Sequence, residues 1–468
     1  MNFSDPDSET SPARSHSDTA TRHGVGRRDR EGSRQRAGEA ATTGAHPRAW
    51  PDPLYGEVRL AAWAADLAAT PPFTRLAGIS LSDVPGELLF ERPFPSRLDH
   101  ARGVYHLARL ARPRDRALQA AALAHDLGHG PFSHLCEPIM RTVLGVDHEH
   151  RAARLLAEAR TALSAPAARR LAWLDWDEVA DLIVGGGADG RGALLSGPLD
   201  YDNADNLARF LTASGLGAPE YAPEELARAL RPLPAAPDTP DGDRPRSCLI
   251  DTGEDAARAW LDARVRVYGY LQASHRNLAP HSMLRKAIEL AYTAGALPAD
   301  FFDLTNAQAF VALAGSSSTG AAALAGGARA GADHWHVCVW EGEVPIPAHA
   351  LRDLLGDWRS RLVLEAELAS EAGLTALDVT LSSPVSRLGR VLPPLVPAGR
   401  AGASHSPPNA LPIAPRALPT PLPPPRRIHV FAAAGTPRDY VRRLRRAAER
   451  RLGALGAHPA FDEGPDQA

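Results

Sequence analysis

Apolar residues recur at three- and four-residue spacing in a series of segments that begins shortly after Trp50. This spacing puts the apolar side chains on one face of a helix, so each segment predicts an amphipathic α-helix. The predicted helices are Leu60–Leu67, His100–Leu110, Arg116–Leu127, Glu149–Leu163, Asp175–Val184, Asp202–Ala213, Glu224–Leu230, Asp255–Leu271, Ser282–Ala294 and Leu351–Ala372. The chain is therefore predicted to be mainly α-helical.

The hydrophobic pattern changes in the last part of the chain. Apolar and polar residues alternate at His334–Trp340 and at Ile428–Ala432, which predicts two strands separated by a helical segment. We therefore expect a smaller α+β C-terminal region that spans residues 301–392 and is completed by residues 426–468.

Four segments show neither the helical spacing nor the strand alternation of apolar residues. Residues 1–48 carry few large aliphatic side chains and predict a disordered tail. Residues 393–425 are rich in proline and predict an extended linker or long loop, and residues 232–247, rich in Pro and Asp, also predict a loop. Gly315–Gly331 consists mainly of Ala, Gly and Ser and predicts a flexible or weakly helical stretch. The main helical domain is expected at residues 49–300.

Composition narrows the classes of function. The 468 residues include 52 Lys+Arg and 55 Asp+Glu, and a net charge of −3 excludes a strongly basic nucleic-acid-binding protein while allowing a local basic pocket. Cys136, Cys248 and Cys338 lack the spacing of a disulfide framework or zinc site, which favours a reducing, cytoplasmic location. The absence of a long apolar run predicts no membrane span. Lys286 is the only lysine, so anion binding is expected from arginine.

Histidines and carboxylates concentrate in one part of the chain, where seven of the 18 histidines lie between His100 and His150. Imidazole nitrogen and carboxylate oxygen are the ligands of divalent metal ions. The densest motif contains His125 and Asp126 at the end of an alanine-rich helix, with His129 one turn later. A later acidic helix offers Asp200, Asp202 and Asp205, of which one or two can face a single ion. A metal site is predicted, because a buried His–Asp pair without a metal would leave polar groups unsatisfied in an apolar core.

Other histidines are interpreted as ordinary, partly buried polar side chains without a ligand role. These are His106, His150, His334 and His336.

The order His100, His125-Asp126, Asp202 resembles the H…HD…D pattern of HD-domain metal-dependent phosphohydrolases. Six further motifs occur in an order that resembles the deoxynucleoside triphosphate triphosphohydrolases, over residues 50–295 and more loosely through Arg426–Ala432. The motifs are DPLYG (Asp52–Gly56), ATPPFTRL (Ala69–Leu76), RLDHARGV (Arg97–Val104), HDLGHGPFSH (His125–His134), DHEH (Asp147–His150) and MLRKAI (Met283–Ile288).

The resemblance implies an HD-domain helical bundle that hydrolyses (deoxy)nucleoside triphosphates to nucleoside and triphosphate, works as a homo-oligomer and uses a divalent ion such as Mn, Fe, Zn, Co or Mg. The implied metal ligands are His100, His125, Asp126 and Asp202. The implied acid/base group is His129, Glu137 and His148, and the implied phosphate contacts are Arg97 and Arg264.

The chain departs from the family pattern in the implied substrate pocket. Glu137 stands where the family usually carries Asp, which keeps the charge. Asn206 and Phe210 stand where the family often carries a Tyr and an Asp that contact the sugar, and Gln272 replaces a further sugar contact. The metal centre is therefore predicted to be intact and the nucleoside pocket altered. Two alternatives follow: a nucleotide- or nucleic-acid-binding regulator with little turnover, and an HD phosphodiesterase that acts on another nucleotide.

Overall fold

A computed structural model of the chain describes residues 48–187, 189–234, 246–331, 334–342, 357–383, 393, 395–396, 426–453 and 458–461. Several sequence predictions lie wholly or mostly outside these residues. They are the disordered tail at 1–48, the centre of the loop at 232–247, the linker at 393–425, and the roles of the His334 and His336 side chains. No helix in the described part of the chain is long and apolar enough to cross a membrane.

The described helices are α1 Ala62–Ala68, α2 Pro71–Arg75, α3 Gly86–Phe90, α4 Arg97–Ala111, α5 Arg116–Ala124, α6 Glu137–Leu144, α7 His148–Thr161, α8 Ala165–Arg170, α9 Trp176–Ile183, α10 Tyr201–Ser214, α11 Pro223–Ala229, α12 Glu254–Ala273, α13 His275–Thr293, α14 Asn306–Ala314, α15 Thr319–Ala330, α16 Trp358–Ala372 and α17 Arg438–Gly453. The strands are β1 Arg48–Asp52, β2 Gly56–Leu60, β3 Leu230–Leu233, β4 Arg246–Ile250, β5 His334–Gly342, β6 Val379–Ser382, β7 Leu395–Val396, β8 Arg426–Ala433 and β9 His458–Phe461.

The predicted fold class is confirmed, because helices dominate the described residues and a smaller α+β region follows them. Each predicted helix has an observed counterpart, with shifted ends. Helix α5 ends at Ala124 rather than Leu127, because residues 125–128 form a turn. Helix α13 begins at His275 rather than Ser282 and runs through Pro280. The proposed segment boundaries stay predictions.

The segment Gly315–Gly331, expected to be flexible or weakly helical, contains the regular helix α15. Its buried residues recur at helical spacing and include Ala321, Leu324 and Ala328, on a helix that packs against α13. Small side chains make this apolar stripe hard to recognise from composition. The sequence reading also did not identify α6, α8, α14 or the antiparallel β1–β2 hairpin.

Helix α4 lies in the centre of the main core and packs against α5, α10 and α11. Gly103 on α4 permits the close approach of α10. A Cβ atom at this glycine would lie 2.0 Å from Asp205 Oδ2 and 2.5 Å from Arg209 Nη2. The approach brings acidic residues of α10 against the first turns of α4.

The C-terminal region contains an antiparallel four-stranded sheet in the order β6–β8–β5–β9. Successive side chains along each strand point to opposite faces of the sheet, and both faces are covered. Residues such as Leu381 and Val430 pack with α16 and α17. On the opposite face, Ser282 and Thr380 share a 2.9 Å hydrogen bond, and Phe431 packs on α13.

A buried group of charged residues joins α13 to α16 and the edge of β6. Lys286 Nζ lies 2.8 Å from Glu365 Oε2 and donates to the carbonyl oxygens of Ala376 and Val379. Arg361 pairs with Glu365 at 2.6 Å and also with Glu289. We call Lys286, Glu289, Arg361 and Glu365 the α13–α16 cluster.

Candidate active site

Helix α4 begins at a capping box and carries two site residues in its first turn. Ser96 Oγ accepts from the backbone N–H of Asp99, and Asp99 Oδ2 accepts from the backbone N–H of Ser96. This reciprocal cap fixes where the helix starts. Arg97 and His100, three positions apart, therefore both turn into the core, where they are 3% and 0% exposed.

His125 and Asp126 lie in the turn that follows α5. His125 Nδ1 donates to the carbonyl oxygen of Ala122 at 2.9 Å, which directs Nε2 toward α4. Asp126 Oδ2 accepts from Arg97 Nη1 at 2.9 Å. The end of α5 and the start of α4 are thus joined through the residues of the predicted site.

The four predicted metal ligands converge. His100 Nε2 lies 3.3 Å from His125 Nε2 and 2.9 Å from Asp202 Oδ1. Asp126 Oδ1 lies 3.4 Å from His125 Nε2. The two imidazole nitrogens and the two carboxylates form a mixed nitrogen and oxygen set, which suits a divalent transition metal. These residues therefore fit a divalent metal ion. We call His100, His125, Asp126 and Asp202 the metal-site cluster.

Asp205 lies behind the metal-site cluster and orients His100. Its Oδ1 accepts from His100 Nδ1 at 2.7 Å, and the carboxylate also accepts from Arg209 and from the Tyr55 hydroxyl. Arg209 contacts Asp52 at 3.0 Å. A carboxylate on the far nitrogen of a ligand histidine fixes its ring orientation. The DPLYG motif therefore reaches the site through this network.

The other acidic candidate, Asp200, caps α10 and accepts from the backbone N–H groups of Gly197 and Asn203. Burial and the charge of Asp202 raise the pKa of Asp200 to about 8. It is a helix cap beside the cluster, and Asp202 supplies the oxygen that faces the histidines.

Burial and charge set the protonation states of the cluster. Burial opposes protonation of His100, but hydrogen bonds to Asp202 and Asp205 raise its pKa to about 9. Burial would raise the pKa of Asp126, but Arg97 and neighbouring imidazoles hold it well below the usual range. A metal ion that binds here must therefore displace a proton from His100.

The predicted acid/base residues lie beside the cluster. The rings of His129 and His148 stack with centroids 4.1 Å apart, and His148 Nδ1 lies 2.5 Å from Glu137 Oε1. His129 is 1% exposed, and both of its ring nitrogens are buried. His129 Nε2 is 3.1 Å from Asp126 Oδ1, which links this group to the metal-site cluster.

The structure adds His134, a residue of the HDLGHGPFSH motif for which the sequence predicted no role. Its Nδ1 lies 3.4 Å from Glu137 Oε2, and its ring centroid is 4.8 Å from that of His129 and 5.0 Å from that of His148. Glu137 therefore contacts two histidines at once. The signal available in the sequence was the third histidine of HDLGHGPFSH.

The histidines beside Glu137 differ in their pKa values. Burial would lower the pKa of His148, but its hydrogen bond to Glu137 raises it. Burial lowers the pKa of His129 well below the usual value and also lowers that of His134. The hydrogen bond to Glu137 thus favours a proton on His148 while burial disfavours one on His129 and His134, which is an arrangement that serves proton transfer.

Two cavities share this site. The first, of about 250 Å³, lies over the charged residues, and its walls include Asp126, His129, Glu137 and Asp202. The second, of about 340 Å³, extends toward α12, α13 and the end of β6. Four residues line both cavities: Arg97, His134, Asn206 and Tyr268.

The predicted substrate residues lie in different places. Arg97 and Asn206 border both cavities. Phe210 borders only the second and is 3% exposed, because its ring packs edge-on against Phe90 and Phe94. Arg264 is not among the residues that line either cavity.

Arg264 is buried on α12 and lies near two aromatic rings. Its guanidinium carbon is 5.3 Å from the ring centroid of Trp260 and 4.5 Å from that of Tyr268, and Nη1 donates to Asn203 Oδ1 at 3.4 Å. Its role as a phosphate contact stays a prediction.

Two histidines that were interpreted as structural lie away from the metal-site cluster. His106 stacks on Tyr55 with centroids 4.6 Å apart, and His150 Nδ1 lies 2.7 Å from Asp147 Oδ1 at the N-terminus of α7.

Comparison with known proteins identifies the fold around this site. Residues 97–211 match the HD domain family, so the predicted resemblance is confirmed at the level of an HD domain. The chain is 31% identical over 183 residues to the uncharacterized protein YwfO of Bacillus subtilis (strain 168). This matched segment makes up 36% of this chain and 40% of YwfO. The chain is 32% identical over 116 residues to deoxynucleoside triphosphate triphosphohydrolase SAMHD1 of Bos taurus, which covers 21% of this chain and 20% of that protein. The chain thus spans less than half the length of either relative.

Proposed function

We propose that this HD-domain chain is a metal-dependent phosphohydrolase that converts (deoxy)nucleoside triphosphates to nucleoside and triphosphate. The observation that carries the proposal is the convergence of His100, His125, Asp126 and Asp202 beside a cavity that Asp126, Asp202 and Arg97 line. The similarity to a deoxynucleoside triphosphate triphosphohydrolase supports the substrate class.

The proposed chemistry divides between the metal ligands and the neighbouring histidines. His100, His125, Asp126 and Asp202 would hold a divalent ion, which would supply Lewis-acid polarisation of a phosphoryl oxygen. Arg97 offers a planar guanidinium to the phosphate oxygens. His148, whose pKa is raised by its hydrogen bond to Glu137, can donate a proton to the leaving oxygen. His129, whose pKa burial lowers, can accept a proton beside the same cavity.

The second cavity has the volume and mixed lining for a nucleoside. Its lining includes the apolar side chains of Phe210 and Leu271 and the polar side chains of Asn206 and Gln272. Ligand sites commonly combine such apolar walls with a few polar groups. In this proposal the phosphates lie over the metal-site cluster and the nucleoside extends toward α13.

Product analysis tests the proposal. Purified chain is incubated with each common dNTP and NTP in the presence of Mn²⁺, and products are separated by ion-exchange chromatography. We expect nucleoside and tripolyphosphate in equal amounts, and no product from His125→Ala. Release of orthophosphate or pyrophosphate instead would contradict triphosphohydrolysis, and hydrolysis of phosphodiesters alone would favour an HD phosphodiesterase.

A regulator with little turnover is the second candidate, and the altered sugar-contact positions favour it. Phe210 presents carbon to the cavity where the family resemblance implies a carboxylate, and Asn206 replaces a phenol. Tight nucleotide binding by calorimetry without product, with every metal tested, would support this candidate. Homo-oligomer formation and cytoplasmic location stay predictions.

A further inference from the structure

The turn that carries His125 and Asp126 is held from behind by two arginines. Arg75 on α2 donates from Nη2 to the carbonyl oxygen of Leu127 at 2.8 Å. Arg151 on α7 donates from Nη1 to the carbonyl oxygen of Gly128, also at 2.8 Å. Consecutive backbone carbonyls of the turn are therefore each bound by a guanidinium.

The same two arginines also bind the turn at residues 301–303. Arg75 Nη1 donates to the carbonyl oxygen of Phe302 at 3.3 Å, and Arg151 forms an ion pair with Asp303. Each guanidinium thus bridges two segments that are far apart in sequence. Its planar array of donors suits this role better than a lysine ammonium does.

Gly128 brings the turn into backbone contact with α7. A Cβ atom at Gly128 would lie 1.9 Å from the carbonyl oxygen of His148 and 2.6 Å from the backbone nitrogen of Ala152. Arg151, which binds the carbonyl of Gly128, lies three residues after His148 on the same helix. The position of His148 relative to Asp126 is therefore set at this contact.

The two guanidiniums are placed at an electrostatic cost. Burial and the charge of Arg151 lower the pKa of Arg75 to about 10. Charge repulsion between neighbouring buried cations opposes this arrangement unless hydrogen bonds offset it. The carbonyls of Leu127, Gly128 and Phe302 supply those bonds.

We infer that Arg75 and Arg151 are positioning residues that fix the separation between the metal-ligand pair and the histidines of the acid/base group. Their hydrogen bonds go neither to the metal-site cluster nor to the acid/base group. Instead, the two arginines act through the backbone of the turn at residues 125–128. The catalytic part of this inference rests on the proposed function, whereas its metal-binding part does not.

Replacement of each arginine by methionine keeps the length of the side chain and removes its donors. For Arg75→Met and Arg151→Met we expect the Mn²⁺ dissociation constant, measured by competition with a chromogenic chelator, to rise about tenfold or more. With a nucleotide substrate, kcat should fall about 10- to 100-fold while KM changes less than about threefold, since small misplacements act mainly on the chemical step.

Two further variants separate positioning from a general effect on folding. Arg154→Met, at an exposed position of α7, is the matched control and should leave metal affinity and kcat unchanged. Asp303→Asn removes the ion pair of Arg151 at a side chain that is 59% exposed, so the fold should persist. It should raise the Mn²⁺ dissociation constant about two- to fivefold, a smaller change in the same direction.

The inference is wrong if the methionine variants and Asp303→Asn remain folded, as judged by circular dichroism, and keep the metal affinity of the unaltered chain. If the methionine variants unfold, Asp303→Asn decides alone. If the unaltered chain binds Mn²⁺ but hydrolyses no nucleotide, the proposed function fails while the metal-affinity comparison still tests the positioning role.

Discussion

Two of the buried charged groups among the described residues, the α13–α16 cluster and the metal-site cluster, differ in what lies next to them. In the α13–α16 cluster two cations face two carboxylates, and Lys286 also binds two backbone carbonyls. None of its four members lines either cavity of the site. In the metal-site cluster, two imidazole nitrogens face each other at 3.3 Å, and Asp126 and Asp202 border a cavity.

The difference shows why burial of charge alone does not identify a functional site. A group in which each charge meets its opposite can link two elements without a ligand. In the metal-site cluster the donor atoms instead converge beside a cavity, through which a ligand can reach them. The two clusters should therefore respond differently to the loss of one carboxylate.

The largest effect is expected in the metal-site cluster. Asp126→Asn should reduce the bound transition metal from about one ion per chain to a small fraction and bring hydrolysis below detection, because a ligand and a partner of Arg97 are both altered. Elemental analysis of the purified variant measures the first effect. Unchanged metal content would remove Asp126 from the ligand set.

In the α13–α16 cluster the same kind of change should affect stability and leave metal binding unaltered. Glu365→Ala leaves Lys286 and Arg361 without their shared partner, and loss of one member of a buried ion pair typically costs about 3–5 kcal/mol. Denaturant unfolding measures the loss. Glu367→Ala, at an exposed position of α16, is the control and should cost about 1 kcal/mol or less.

Equal metal content in Glu365→Ala and the unaltered chain would support the separation of the two clusters. A variant that loses both stability and metal would show that the α13–α16 cluster supports the site, and the comparison would then fail.

Sequence reasoning reached the residues that converge in the metal-site cluster and not their surroundings. The resemblance to the H…HD…D pattern implied His100, His125, Asp126 and Asp202, because the residue types and their order are visible in the sequence. The bonds of Arg75 and Arg151 to backbone carbonyls could not be read in the same way, since every residue has such an acceptor. Contacts of this kind depend on how distant segments meet.

The substrate side was harder to predict for a related reason. The family resemblance implies that Phe210 lies at the sugar, where relatives often carry Asp. Phe210→Asp would introduce that carboxylate. The structure packs its ring against Phe90 and Phe94, so Phe210→Asp would bury a carboxylate among aromatic rings and destabilise the fold. Asn206, which borders both cavities, is the better position for a test of substrate choice.

A smaller effect is expected from the carboxylate behind the ligand histidine. Asp205→Asn should weaken metal affinity about 10- to 100-fold, because the amide holds His100 Nδ1–H less strongly and lowers the basicity of the ring. Asp66→Asn, which alters an ion pair with Arg170 away from the site, is the matched control. Equal metal affinities for the two variants would show that Asp205 has only a structural role in the α4–α10 contact.

The smallest effect concerns acid stability at the edge of the second cavity. Burial would raise the pKa of Asp83, but His281, His134 and Arg97 lower it to about 2. A carboxyl whose folded pKa lies below its unfolded value of about 3.9 stabilises the fold above that pH, and this contribution disappears as the pH falls through about 2. Asp83→Asn should therefore be about 1–2 kcal/mol less stable than the unaltered chain at pH 6, and the difference should vanish near pH 2. Denaturant unfolding of both proteins across this pH range isolates the contribution of Asp83 to the free energy of unfolding, because the other carboxylates titrate equally in each.

Burial instead raises the pKa of Glu289 in the α13–α16 cluster, so that carboxyl contributes to stability with the opposite sign. A stability difference for Asp83→Asn that grows toward low pH would show that burial, rather than the neighbouring cations, sets the pKa of Asp83, as it does for Glu289.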